Sequence, residues 1–387
     1  MPPKKDGKQA PGKQLSRQDS QKRPSDMKRF SIHDTSGAAF DEQGDTKWGF
    51  DSEPPKWVLK GIDLDNGGCL MKPQEFFESN ATQLKVHHRT YIRKDSAKTR
   101  HVFMFPGAGE HCNKFSYQVL AEMITDSGAI CHGIDMQAHG HSEEFETQFI
   151  ADHQDLVSDA CQWLQAVMKG KDGHTFQFQS HAAGSAIAII ISAMFEDPNS
   201  PVAGFKDQFR GHYAMSPMIS YAGVDNSEYC LMRCVSFFLP CCCQMSTLFG
   251  AENKKNSKPW EVYQTRRAKR LEVTLDPLQW ELKQPLCTEK TFSDLSVHCR
   301  RVCNSVSSPI KLVHGDYDGV ISLKGTEKMA KECEYGKGKE IDDVFWKLVG
   351  ERHVIMVGNY GKELFEDCVT WLKEKDTEGG KSVNPMV

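Results

Sequence analysis

The chain lacks any run of eighteen apolar residues, so no ordinary transmembrane helix is predicted. It lacks an apolar stretch near its start, where charges and prolines stand instead, so no secretory signal is expected. It lacks a charge excess. The formal net charge is -4 over 387 residues, which gives no reason to expect a nucleic-acid partner. It shows no internal repeat. Its fourteen cysteines have no regular spacing, which argues against a disulfide framework and for a cytoplasmic protein with reduced thiols. No metal site is expected, because His139-Gly-His141 reads as a structural loop and the adjacent cysteines at 241–243 are poorly spaced for tetrahedral zinc. What remains is a hydrophobic fraction of 39% and a charged fraction of 26%, the balance of a globular protein with a large core.

Residues 1–55 are rich in Lys, Gln, Ser, Asp and Gly and read as a disordered basic tail. Up to Ser36 it carries nine Lys or Arg against four Asp. Ser20, Ser25 and Ser31 each follow basic residues, which makes them candidate phosphorylation sites where phosphate would cancel the local charge. Residues 56–387 form the globular domain. Strands are expected at Leu84–Arg93, His101–Phe105, Ala129–Met136, His212–Ser216, Ile310–His314 and Val344–Val349. Helices are expected at Phe115–Thr125, Asp155–Lys169, Ser322–Cys333 and Lys362–Lys373. This alternation implies a doubly wound, mostly parallel sheet, an α/β architecture. Residues 219–305 interrupt the rhythm as a largely helical insertion.

Residues 175–185, Thr-Phe-Gln-Phe-Gln-Ser-His-Ala-Ala-Gly-Ser, read as a strand turning sharply into an apolar helix from Ala186 to Met194. Such a turn holds one side chain in a strained conformation at the top of the sheet, where serine hydrolases keep the nucleophile. Small residues are needed two before and two after it, and Ser180 and Gly184 meet this if the position is 182. That position is alanine, whose methyl group cannot attack a carbonyl. Two later strands end in Gly315-Asp-Tyr-Asp318 and in Gly350-Glu-Arg-His353. The order nucleophile, acid, base is that of a triad, with Asp318 to orient the histidine and His353 as general base. Pro106-Gly-Ala-Gly-Glu-His111 follows an early strand. Its small residues would let the Ala108 N–H join that of Ala183 in an oxyanion hole.

With these motifs the chain resembles the monoacylglycerol lipase and lysophospholipase branch of the α/β-hydrolases, of the serine aminopeptidase S33 type. The resemblance covers about residues 85–375. It rests on Pro106–His111, on Asp135-Met-Gln-Ala-His-Gly-His-Ser142, on Ser180–Ile189, on Met215-Ser-Pro217 and on Asp276-Pro-Leu278. It implies an α/β-hydrolase fold with a helical lid, and lipid ester hydrolysis without metal or cofactor. The departures concentrate at the elbow. Serine has become Ala182, the glycine two before it has become Ser180, and Gln177 and Gln179 place amides in a strand usually apolar on both faces.

In the lid, Tyr229–Met245 carries five cysteines. Cys230 and Cys234, one helical turn apart, read as small packing residues. Cys241, Cys242 and Cys243 cannot all face one core and are candidate sites of S-acylation. Beside the basic stretch Lys254–Arg270 they would favour peripheral membrane contact. The leading expectation is a catalytically silent lipase-like protein that holds a lipid or acyl ligand, or a protein partner, through its pocket and lid. Two alternatives stand beside it. One is an active lipid hydrolase whose nucleophile was exchanged for alanine. The other is a structural subunit of a larger assembly.

Overall fold

The computed structural model describes residues 70–71, 74–93, 99–144, 148–220, 278 and 285–381. Nine strands form one sheet: β1 (Leu70–Met71), β2 (Glu75–Glu78), β3 (Lys85–Ile92), β4 (Arg100–Phe105), β5 (Ile130–Ile134), β6 (Thr175–His181), β7 (Phe209–Met215), β8 (Ile310–Gly315) and β9 (Phe345–Leu348). Their order is β1-β3-β5-β4-β6-β7-β8-β9, with β2 paired to β3. From β5 through β9 every pairing is parallel, and β1, β2 and β3 pair antiparallel at one edge. This is the mostly parallel sheet expected from the alternation of strands and helices, in the α/β-hydrolase arrangement that the resemblance implied.

The central strands are buried on both faces because helices cover both. Phe103 and Phe105 of β4 point to one side, with Phe176 and Phe178 of β6. There they meet α2 (His153–Met168), α3 (Ala182–Met194) and α4 (Leu286–Val302). Trp163 of α2 stands edge-on to Phe103, ring centroids 4.9 Å apart. Val102 and Met104 point to the other side, against α1 (Phe115–Asp126) and α7 (Gly361–Lys381). Two shorter helices, α5 (Leu323–Glu332) and α6 (Ile341–Val344), flank β8 and β9.

α3 is apolar around most of its circumference, and every residue from Ala182 to Ala193 is buried. A helix with no polar face belongs in the middle of a layer. Here it lies between the sheet and α4. The sequence pattern started this helix at Ala186, whereas it begins at Ala182, directly on the turn. α4 lies within the expected insertion of residues 219–305; residues 221–277 and 279–284 lie outside the described residues, as does the tail at 1–55. Among the described residues, no helix is long and apolar enough to cross a membrane.

Candidate functional site

Three loops at the carboxyl ends of β6, β8 and β9 meet on one edge of the sheet. The first is the β6–α3 turn. Ala182 has φ of 48°, the left-handed region that costs an L-residue roughly 1–2 kcal/mol. The turn is close enough to β4 that a Cβ on Gly184 would lie 2.3 Å and 2.4 Å from the carbonyl oxygens of Phe105 and Pro106. Glycine at 184 is therefore a packing requirement. The Ala182 carbonyl accepts from the Met218 N–H at 3.1 Å, which ties the turn to the end of β7.

The second and third loops bring the acid and the base. Asp318 Oδ2 lies 2.8 Å from His353 Nδ1, and the carboxylate is fully buried. Its Oδ1 accepts from the backbone N–H groups of Val320 and Ile321 at 2.8 and 2.9 Å. His314 Nε2 lies 3.0 Å from Oδ2. Burial alone would raise the Asp318 pKa. The His353 charge and the hydrogen bonds from His314 and His353 outweigh it, so the carboxyl is held well below its usual range. An anionic Asp318 fixes the His353 ring with Nδ1 toward the acid and Nε2 on the opposite side.

The His353 backbone is itself pinned. Its carbonyl accepts from Ser216 Oγ at 2.8 Å and faces His181 Nε2 at 3.2 Å. The rings of His353 and His181 are 5.1 Å apart, and His181 immediately precedes Ala182. The expected acid and base are thus paired, and they lie beside His181, the residue next to Ala182.

The Pro106–His111 loop runs against the same turn. A Cβ on Gly107 would sit 3.2 Å from Ala182 Cβ and 2.9 Å from His181 Nδ1. Ala108 is half-buried beside it, and Ala183 is fully buried in the first turn of α3. N–H groups in a first helical turn have no intrahelical acceptor, so the Ala183 amide is suited to a carbonyl oxygen from outside.

Sequence reasoning missed the network beneath this loop. Glu110 Oε2 meets His181 Nδ1 at 2.8 Å and accepts from Tyr117 Oη at 2.7 Å and the Gly107 N–H at 3.0 Å. Its Oε1 accepts from Lys114 Nζ at 2.8 Å. Burial would raise the Glu110 pKa. The Lys114 and His181 charges reverse that and hold it well below normal. A buried, fully bonded carboxylate thereby links the loop, α1 and the turn. The spacing of Glu110, Lys114 and Tyr117 at i, i+4 and i+7 was the available signal.

Cys241, Cys242 and Cys243, and Ser20, Ser25 and Ser31, lie outside the described residues. Among the described residues eight cysteines are buried, and none of them forms a disulfide.

A mostly parallel sheet with a strained β6–α3 turn and an Asp–His couple just past the ends of β8 and β9 defines an α/β-hydrolase. The serine aminopeptidase, S33, family matches over residues 96–351, and the chain belongs to that family. No curated protein sequence matches the chain. Among solved structures, it is similar to a monoacylglycerol lipase of Paleococcus ferrophilus, at 15% identity and a TM-score of 0.58 over 75% of this chain and 99% of that one. It is also similar to a soluble variant of monoglyceride lipase from Saccharomyces cerevisiae bound to a substrate analog, at 16% identity, TM-score 0.61, over 79% and 95% of the two chains. A thermostable carboxyl esterase from Bacillus coagulans in complex with glycerol gives 13% identity and a TM-score of 0.63, covering 79% and 98%. At these identities the likeness establishes the fold.

Proposed function

We propose that this chain is a lipase-like member of its family that binds an acyl lipid without hydrolysing it. The observation that carries this reading is Ala182 at the left-handed turn, beside an intact Asp318–His353 couple. An ester carbonyl would rest on the N–H groups of Ala108 and Ala183. His353 would face the ester with no hydroxyl to deprotonate. Without a nucleophile the covalent route is closed, and an oxyanion hole with bound substrate leaves only about 10³–10⁴-fold acceleration over water. The monoglyceride lipase from Saccharomyces cerevisiae, whose structure holds a substrate analog, supports an acyl ligand as the occupant.

A second reading draws on the same couple. A preserved Asp–His pair also suits an active lipid hydrolase whose nucleophile was exchanged for alanine. Ser180, Gln177 and Gln179 favour divergence of the whole turn over a single exchange. The test is to extract lipid from purified protein for mass spectrometry and to incubate the protein with monoacylglycerol and lysophospholipid. The proposal expects a stoichiometric acyl lipid and no turnover. Protein that neither carries nor takes up an acyl lipid would instead fit a structural subunit.

A further inference from the structure

His87 of β3, Cys112 of the loop before α1, and Asp135 just past β5 come from distant parts of the chain and converge in the interior. All three are fully buried. His87 Nδ1 lies 2.8 Å from Asp135 Oδ2, and Cys112 Sγ lies 4.0 Å from the same nitrogen. The donor atoms of the three residues all fall within 4.8 Å of one another. Asp135 is held rigidly, since Oδ1 accepts from the Cys112 N–H at 2.7 Å and Oδ2 from the His141 N–H at 3.0 Å. The His141 ring stands edge-on to that of His87, centroids 5.1 Å apart. His87 Nε2 is buried and has no hydrogen-bond partner among the described residues.

We propose that His87, Cys112 and Asp135 form a zinc site, with His141 as fourth donor at its rim. One thiolate, one carboxylate and two imidazoles form a mixed sulfur, nitrogen and oxygen set that suits tetrahedral zinc. With bonds of about 2.0–2.3 Å, tetrahedral donors stand about 3.3–3.6 Å apart, and two imidazoles on one ion stand about 5 Å apart between centroids. The observed separations of 2.8 and 4.0 Å lie about half an ångström to either side of the first range, a shift that exchanging the His87–Asp135 hydrogen bond for metal bonds would require, and 5.1 Å matches the second.

The charges also balance. Zinc carries two positive charges, and the Cys112 thiolate and Asp135 carboxylate carry one negative charge each. The completed centre is neutral, as a dry interior requires. On binding, the Cys112 thiol proton leaves to solvent. The His87 proton shared with Asp135 moves to Nε2, freeing Nδ1 for the metal. No electron is transferred. The ion would staple the end of the Pro106–Cys112 loop to β3 and β5, and so would fix the loop that carries Ala108.

The test uses the full chain, stripped with a chelator, and zinc or cobalt(II) alone as probe. Wild type should bind one zinc ion that Cys112→Ser and His87→Phe each weaken about tenfold or more. Cobalt(II) should give a thiolate-to-metal charge-transfer band in wild type that Cys112→Ser abolishes. His141→Ala should weaken binding and keep the band. No zinc binding by wild type overturns the proposal, as does a Cys112→Ser protein that keeps wild-type zinc affinity and the cobalt band. If the buried variants do not fold, zinc-edge anomalous scattering from wild-type crystals grown with zinc decides. Density among Sγ, Nδ1 and Oδ2 is the expected result, and density only elsewhere overturns the site.

Discussion

His212 lies beneath the elbow on β7, fully buried, with Nε2 2.5 Å from Ser180 Oγ. Ser180 also donates to Ser185 Oγ at 2.8 Å. Ser180 therefore turns toward β7 and α3. Ala182 already has its left-handed backbone in its presence, so a nucleophile at 182 does not require Ser180→Gly. His212 Nδ1 has no hydrogen-bond partner among the described residues, and burial pushes the pKa down to about 3. In the unfolded chain the ring takes up a proton near 6.5. Between these values the unfolded chain binds more protons, so stability falls as pH drops. The contribution lost is about 2 kcal/mol at pH 5 relative to pH 7.5. His101 and His139, both pushed down to about 4 chiefly by burial, act in the same direction. Urea unfolding at the two pH values should show this loss, and His212→Gln should remove part of it. An unchanged pH dependence in His212→Gln would assign the effect elsewhere. At this scale the sequence flagged the odd residues but not their partners. Gln177 donates to the Leu372 carbonyl at 2.6 Å, a contact 195 residues away. Gln179 reaches only Met215 Sδ at 3.5 Å, and nothing in the structure explains its preference over an apolar residue.

The β6–α3 turn is the element on which the site depends, because α3 must start at once and close to β4. Gly184→Ala would drive a methyl group into two backbone carbonyls that cannot withdraw without moving β4 or α3. We expect a loss of about 2–3 kcal/mol, read as a lower urea midpoint with an unchanged slope. A loss within experimental error would show that the helix is less tightly docked than this geometry requires. Elements were most legible where an apolar run ends in a turn signal. β4, β8 and α1 fall within a residue or two of the sequence reading. The start of α3 was misplaced by one turn because Ala182, Ala183, Gly184 and Ser185 carry no apolar period of their own. The edge strands β1 and β2 went unread because they are short and, in Glu75-Phe-Phe-Glu78, flanked by charge. The His87, Cys112 and Asp135 cluster has no local spacing at all, since only the sheet brings its members together.

For the molecule as a whole, the order acid after elbow and histidine after acid pointed to one candidate site, and the structure sets Asp318 beside His353 and His353 beside His181. Each group ends a strand, and parallel strands deliver their ends to one edge of the sheet. On the proposed function, the machinery of a serine hydrolase stands ready except for a single oxygen. Fluorophosphonate labelling of wild type and Ala182→Ser, side by side and with monoacylglycerol turnover measured on both, tests this most directly. Wild type should remain unlabelled and inactive. Ala182→Ser should label at position 182 and cleave the ester, and adding Asp318→Asn should abolish that turnover. Stoichiometric labelling of wild type at any serine, with turnover that Asp318→Asn abolishes, would contradict the account.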